Sequence, residues 1–318
     1  MTINTQSPSI TSASKHQLPR ILVTGGTGFI GRPLVHRLTK LGFPVTVFTR
    51  NCPRARLLLP KAVRCINHLR QIPDQEDIAV VINLAGEGIA DKRWSAKRRE
   101  QLFASRIGVT ESLAHFFSTR KPPELLLSGS AIGYYGAQND ELLDEKARHQ
   151  VGFAHHLCYE WESAASEFES LGARVCCLRL GVVLGQGGGM LQRLLLPFRL
   201  GLGGRIGDGR QWLSWIHRDD LIAALLFCLS HKTLSGPINL TAPEPVTNQE
   251  FTRLLATALE RPALLPMPAW LVQVLFGEMG DELLLSGQRV IPAVLEASGF
   301  KFKYPSMAQA LDACLSLD

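Results

Sequence analysis

A doubly wound parallel α/β sheet is the fold class this sequence predicts, with a smaller C-terminal α/β substrate lobe. Two observations predict it. Short, continuous apolar runs recur between residues 21 and 180, and helical patterns of apolar residues lie between them. A strand that is apolar at every position is buried on both faces, and intervening helices supply the two covers. A third observation marks where the ligand crevice opens: the first apolar run ends in glycines that lead straight into a helical period.

Residues 1–17 are Ser/Thr-rich, lack the apolar core of a signal peptide and read as a flexible tail. Ile21-Leu22-Val23-Thr24 is the first strand, followed by Gly25-Gly26-Thr27-Gly28-Phe29-Ile30-Gly31. Glycine lacks a Cβ, so the turn can be sharp, a pyrophosphate can touch the backbone and the helix can lie close on its strand. The amide groups and positive dipole end of that helix face the phosphates. Strand, glycine turn and helix in this order predict a dinucleotide site. The helix carries Ile30, Leu34, Leu38 and Leu41 on one face and stops at Gly42.

Val45-Thr46-Val47-Phe48-Thr49 is the second strand, and it is followed by Arg50-Asn51 rather than by an acid. An Asp or Glu at this place holds the ribose hydroxyls of NAD, whereas an Arg pairs with the 2′-phosphate of NADP. NADP(H) is therefore favoured over NAD(H), although Arg50 as a plain solvated charge is compatible with the same pattern. Val80 to Leu84, Leu125 to Ser128 and Val175 to Leu180 are the next buried strands; Arg99 to Phe117 and Tyr159 to Leu171 are helical. Asn83-Leu84-Ala85-Gly86 is a small, polar turn that lets backbone approach the adenosine and its ribose. Ser128-Gly129-Ser130-Ala131-Ile132-Gly133-Tyr134-Tyr135-Gly136 places hydroxyls at a sheet edge, where a Ser can hold a carbonyl or alcohol and a Tyr can relay a proton. Turn capping by Ser130 and packing by the tyrosines are the plainer alternatives.

After Gly181 the texture changes to glycine-rich loops, Gly185 to Gly189 and Gly201 to Gly209, around an apolar, basic segment. Residues 18–180 are accordingly expected to form the dinucleotide-binding domain and residues 181–318 a lobe interleaved with its sheet. In Trp215-Ile216-His217-Arg218-Asp219-Asp220, an Asp is expected to cap a helix beginning at Leu221. His217 and Arg218 could form a substrate wall, and Arg205, Asp208 and Arg210 could close over an anion; surface turns are equally compatible.

Composition narrows the function further. Among the 318 residues, 46% are hydrophobic and the formal net charge is +6. The basic residues are scattered, which argues against nucleic acid as a partner. Seven cysteines, none in a C-x-x-C pair, suit a reducing compartment, so a cytoplasmic location is expected. No metal-ligand spacing occurs. Leu221 to Leu229 is too short to cross a bilayer, so no membrane role is expected.

The order of Thr24 to Gly31, Asn83 to Gly86, Ser128 to Ser130 and Trp215 to Asp220 resembles the extended short-chain dehydrogenase/reductase superfamily. Within it the chain is similar to the NAD-dependent epimerase/dehydratase branch and its uncharacterised epimerase-family subgroup. The runs Asn83 to Arg93, Leu196 to Gly204 and Gly287 to Pro292 carry the narrower likeness. The resemblance implies a Rossmann domain and a cofactor cradle of Gly25, Thr27, Gly28, Phe29, Ile30 and Gly31. It implies that Thr49 and Arg50 meet the adenosine ribose, Leu84 and Ala85 line the middle, Arg106 faces the cofactor, and Val183 sits by the nicotinamide. Ser130 lines up with the superfamily's catalytic hydroxyl.

The usual Tyr-x-x-x-Lys pair, whose cation lowers the phenol pKa, is missing. Tyr134, Tyr135, Tyr159 and Tyr304 are followed four residues later by Gln138, Asn139, Ser163 and Ala308. Where the pair would fall stands Phe153-Ala154-His155-His156-Leu157, with both histidines expected at the surface. Tyr134 is the remaining proton-relay candidate. The sequence thus points to an NADP-dependent oxidoreductase or epimerase acting on a small polar or sugar-like molecule, as monomer or homodimer. The competing class is a non-catalytic NADP-binding redox sensor or regulatory module.

Overall fold

The computed structural model describes residues 18–316, so the tail read at residues 1–17 lies outside them. Seven parallel strands form the main sheet: β1 (Ile21–Thr24), β2 (Val45–Phe48), β3 (Arg64–Ile66), β4 (Val80–Asn83), β5 (Leu125–Ala131), β6 (Arg174–Leu180) and β7 (Gly236–Leu240). Their order is β7-β6-β5-β4-β1-β2-β3. Ile21 lies opposite Val45 on one side and Val80 on the other. Between β1 and β4 the direction of winding reverses, and ligands of open α/β sheets bind beyond the carboxyl ends of strands at such a point.

Alternate residues of each strand enter different cores, as period-two geometry requires. Ile21, Val23, Val47, Ile82 and Leu127 pack with α1 (Gly31–Lys40), α2 (Cys52–Leu58) and, further along the chain, the helix Arg218–Ser230. Leu22, Val81, Leu126 and Val175 pack on the other face. That cover is built from the helices that follow β4 and β5. In α1, Leu34, Val35 and Leu38 are wholly buried; each contributes about 2 kcal/mol by leaving water.

The helix expected over Arg99 to Phe117 is two α-helices, α3 (Ala96–Phe103) and α4 (Val109–Ser118), joined by a π-turn at Ala104–Gly108. Apolar period alone does not reveal the extra residue that a π-turn inserts, and such turns often sit at functional sites. Helix α5 (Phe153–Ser170) begins well before the expected Tyr159. Its N-terminus is capped from far along the chain: Glu282 accepts hydrogen bonds from the amides of Phe153 and Ala154, both at 2.9 Å.

Beyond β6, α6 (Gly189–Arg199), α7 (Arg218–Ser230), α8 (Asn248–Ala258) and α9 (Ala269–Phe276) alternate with short strand pairs. A separate core forms here around Trp215, Phe198, Phe251 and Leu255, closed by the helix Met307–Leu315. Helix α7 and β7 rejoin the main sheet, β7 lying beside β6, so the chain leaves the lobe for the sheet and then returns to it.

The helix-capping expectation near residue 220 is corrected. Helix α7 starts at Arg218, and His217 is its cap: Nδ1 accepts from the Asp219 amide at 3.1 Å. Asp220 instead takes the amides of Lys303 and Tyr304 at 2.8 and 2.9 Å, which ties the C-terminal segment to α7.

Candidate functional site

The glycine turn after β1 sets the floor of a crevice of about 510 Å³. Gly25 has φ +65°, a left-handed conformation that a side chain disfavours. A Cβ there would overlap the Leu84 carbonyl, and one on Gly31 would overlap the Gly25 carbonyl. The Gly28 amide closes the turn on the Gly25 carbonyl at 3.0 Å. Helix α1 then starts with no side-chain cap and no acid in its first turn. The Arg32 amide bonds the Gly28 carbonyl at 3.0 Å, but the Ile30 and Gly31 amides have no partner among the described residues, and such orphan amides are suited to an anion.

A second set of contacts fixes the opposite wall. Thr24 Oγ1 donates to Asn83 Oδ1 at 2.5 Å, and the Ala85 amide donates to Thr24 Oγ1 at 3.1 Å. Asn83 Nδ2 reaches Thr110 Oγ1 at 2.8 Å, and Thr110 in turn donates to the Arg106 carbonyl at 2.8 Å. One buried carboxamide therefore links β1, β4, the π-turn and α4. The Ser105 hydroxyl accepts from the Glu87 amide at 3.2 Å, so the turn after β4 is held to the π-turn as well.

Of the residues expected at the cofactor, Gly25, Thr27, Gly28, Thr49, Arg50, Leu84 and Ala85 line this crevice. Phe29, Ile30 and Gly31 continue into α1. The Phe29 ring lies under the Arg218 guanidinium at 5.0 Å and against Gly188 and Gly189, joining the turn to the later lobe. Val183 is in the short strand Val182–Leu184, whose partner strand is Trp215–His217. Arg106 is not a solvated helix charge. It is buried behind Gly86, with Nη2 on the Glu87 carbonyl at 2.8 Å and its guanidinium 5.3 Å from the Trp161 ring centroid. Burial pulls its pKa below the ordinary arginine value.

Sequence reading missed Glu87 and Asn67, which also line the crevice. Glu87 pairs with Arg98 and, at 3.6 Å, with Arg50. The Arg98 hydrogen bond is the main reason its carboxyl lies below the usual range. Arg50 has no other side-chain partner among the described residues, and its side chain is 91% exposed beside the crevice mouth. A Glu in an irregular loop carries no periodic signal, so only its salt bridge to the strand-end arginine reveals it.

Ser130, buried, and Tyr134, half-buried, belong to a different cluster. Ser130 Oγ donates to Glu162 Oε1 at 2.7 Å. The same carboxylate takes Arg179 Nε at 2.8 Å and Nη2 at 2.9 Å. Arg179 Nη1 donates to the Tyr135 hydroxyl at 3.1 Å, and that hydroxyl donates to Asn239 Oδ1 at 2.7 Å. Burial pushes the Tyr135 phenol up to about 12, which keeps it protonated at neutral pH. The Arg179 guanidinium stacks 3.4 Å from the Tyr134 ring centroid. Glu162 and Arg179 went unnoticed in the sequence because they lie on α5 and β6, 17 residues apart.

The two adjacent histidines differ. His156 is at the surface as expected, whereas His155 is buried, donates from Nδ1 to the Tyr134 carbonyl and stacks on His149 with centroids 4.1 Å apart. His217 is also buried, 4.1 Å from the Tyr304 ring. Burial lowers its pKa despite Asp219 and Asp220. Among the described residues, no group of three or more His, Cys, Asp or Glu is placed to hold a metal, and no helix is long and apolar enough to cross a membrane.

A model of the NAD dependent epimerase/dehydratase family matches residues 21–240. The chain belongs to this family. A second match, to a domain of unknown function (DUF1731), covers residues 267–314. An epimerase family protein of Mycobacterium bovis is 40% identical over 92% of this chain and 96% of its own length. One of Staphylococcus epidermidis is 38% identical over 93% and 98%. Among solved structures, the human epimerase family protein SDR39U1 (isoform 2) with NADPH superimposes with TM-score 0.84 at 34% identity, covering 93% of this chain and 99% of that one. At lower identity the likeness is of fold alone: a UDP-galactose 4-epimerase has TM-score 0.71 at 18% identity, covering 93% of this chain and 97% of its own.

Proposed function

We propose that the crevice binds NADP(H) and that the chain is an NADP-dependent oxidoreductase or epimerase acting on a small polar or sugar-like molecule. One observation carries the cofactor assignment: bare glycines at an uncapped helix start open onto a strand end that presents Arg50 and no acid. The amides at the start of α1 would hold the diphosphate, and Arg50 would leave Glu87 to pair with the 2′-phosphate. Asn83 and Thr24 would keep the adenosine wall in place. The human relative with NADPH supports the same choice. When bound, the cofactor supplies hydride transfer at its nicotinamide. Ser130 would offer its proton to the reacting oxygen, exchanging Glu162 for substrate, with Tyr134 as the relay candidate.

A specific observation favours the second reading, a non-catalytic NADP-binding sensor. The Ser130 hydroxyl is already committed to Glu162, and Glu162 is locked by both arms of Arg179. Titrating NADPH and NADH by fluorescence against the wild type and Arg50→Ala tests the cofactor. Loss of one charge-assisted phosphate contact should weaken NADPH about tenfold and leave NADH nearly unchanged; equal losses would remove the NADP assignment. Turnover on a panel of carbonyl and sugar-nucleotide substrates, lost in Ser130→Ala, separates enzyme from sensor.

A further inference from the structure

The later lobe contains a groove of about 790 Å³ that is separate from the dinucleotide crevice and shares no lining residue with it. Arg205, Arg253 and Arg261 stand on its walls. Among the described residues, Arg205 donates to the Asp208 carbonyl and Arg261 to the carbonyls of Arg199 and Glu260. The Arg253 side chain makes no hydrogen bond or ion pair to any described residue. Three arginines thus line one groove, and none of them is ion-paired among the described residues. Glu260 is the single acid on the lining, and it is exposed.

The remaining wall is apolar: Pro262, Leu264 and Pro266 form it, and Leu264 is 81% exposed. A Schellman turn builds it, with the Arg261 amide on the Ala256 carbonyl at 3.0 Å and Glu260 left-handed at φ 52°. That reversal lays the proline-rich segment back along α8. A largely exposed leucine beside arginines that carry no ion pair among the described residues marks an interaction surface rather than a core.

We propose that this groove binds a small soluble molecule joining an anionic group, phosphate or carboxylate, to an apolar body. The arginines would take the anion and the Pro262–Pro266 wall the apolar part. Its volume lies in the range of small-ligand sites. A second copy of the chain fits poorly. Its lining holds three arginines against the single acid Glu260, so a two-fold interface would oppose like charges. The inference does not depend on the cofactor reading, since no residue is shared.

The full chain is titrated by calorimetry with octyl phosphate below its micelle concentration, with octyl glucoside, and with inorganic phosphate. Octyl phosphate should bind saturably at one site, with each half-ligand about tenfold weaker or more. Arg253→Gln should weaken octyl phosphate about tenfold while leaving NADPH binding and the unfolding midpoint as in wild type. Leu264→Ser should weaken octyl phosphate and spare inorganic phosphate. Equal binding of the neutral glucoside, indifference to Arg253→Gln, or no saturation would overturn the proposal. So would Arg253-dependent capture on vesicles of anionic lipid without binding of the soluble probe, which would assign the groove to a membrane surface.

Discussion

Replacing Glu162 by Leu removes a carboxylate while keeping its bulk, and the structure sets the cost. The Arg179 side chain is 4% exposed, and its Nε and Nη2 both rest on Glu162. Removing the acid leaves a guanidinium charge in a dry site with the Tyr135 hydroxyl, the Glu145 carbonyl and the face of Tyr134 as its remaining partners among the described residues. Stranding one partner of a buried pair costs about 3–5 kcal/mol. The Ser130 hydroxyl loses its acceptor as well, an overlapping loss of about 1 kcal/mol. Urea unfolding of Glu162→Leu should therefore show a loss of about 4 kcal/mol, a large share of the stability of an ordinary domain. The double variant Glu162→Leu/Arg179→Met removes the charge and should recover at least about 1 kcal/mol of that loss. A single-variant loss below about 1 kcal/mol, or a double variant that is less stable than the single, would show that the pair is solvated and the reasoning mistaken.

Other outcomes follow from the same geometry. In Gly25→Ala the new methyl meets the Leu84 carbonyl at a positive φ, so NADPH binding by fluorescence should be lost; wild-type affinity would mean that the backbone does not approach the cofactor closely. His217 is held neutral by burial, so its folded pKa lies below the unfolded value of about 6.5. Its contribution is complete above that pH and is lost as pH falls through the lower folded value. Melting curves of His217→Asn, which keeps a capping acceptor, should be flatter between about pH 7 and 5; an unchanged slope would assign the effect to another group. Glu260→Gly relieves a left-handed backbone at a helix end and should add about 1 kcal/mol in urea unfolding, whereas a loss would point to a carboxylate contact.

Much of the framework was legible in the sequence. Burial on both faces leaves continuous apolar runs, and four of the main strands coincide with the expected ones to within a residue at their centres: β1, β2, β4 and β6. Strand β3 escaped notice because Arg64-Cys65-Ile66 is short and half-buried at the sheet edge, where packing imposes no apolar pattern. The crevice turn was equally plain, since glycine spacing is a local covalent property that any tertiary setting must respect.

Chain order and residue type thus determined which runs enter the sheet and which turn is bare enough for a phosphate. They did not determine partners. Whether Ser130 faces a substrate or Glu162, whether His155 or His156 is buried, and which group caps α7 depend on side chains brought together from distant segments. Arg205, Arg253 and Arg261 likewise become a cationic groove only once α8 and the proline segment fold back on each other. Local sequence fixes backbone propensity, whereas the environment of a charge is set by whatever the rest of the fold leaves beside it.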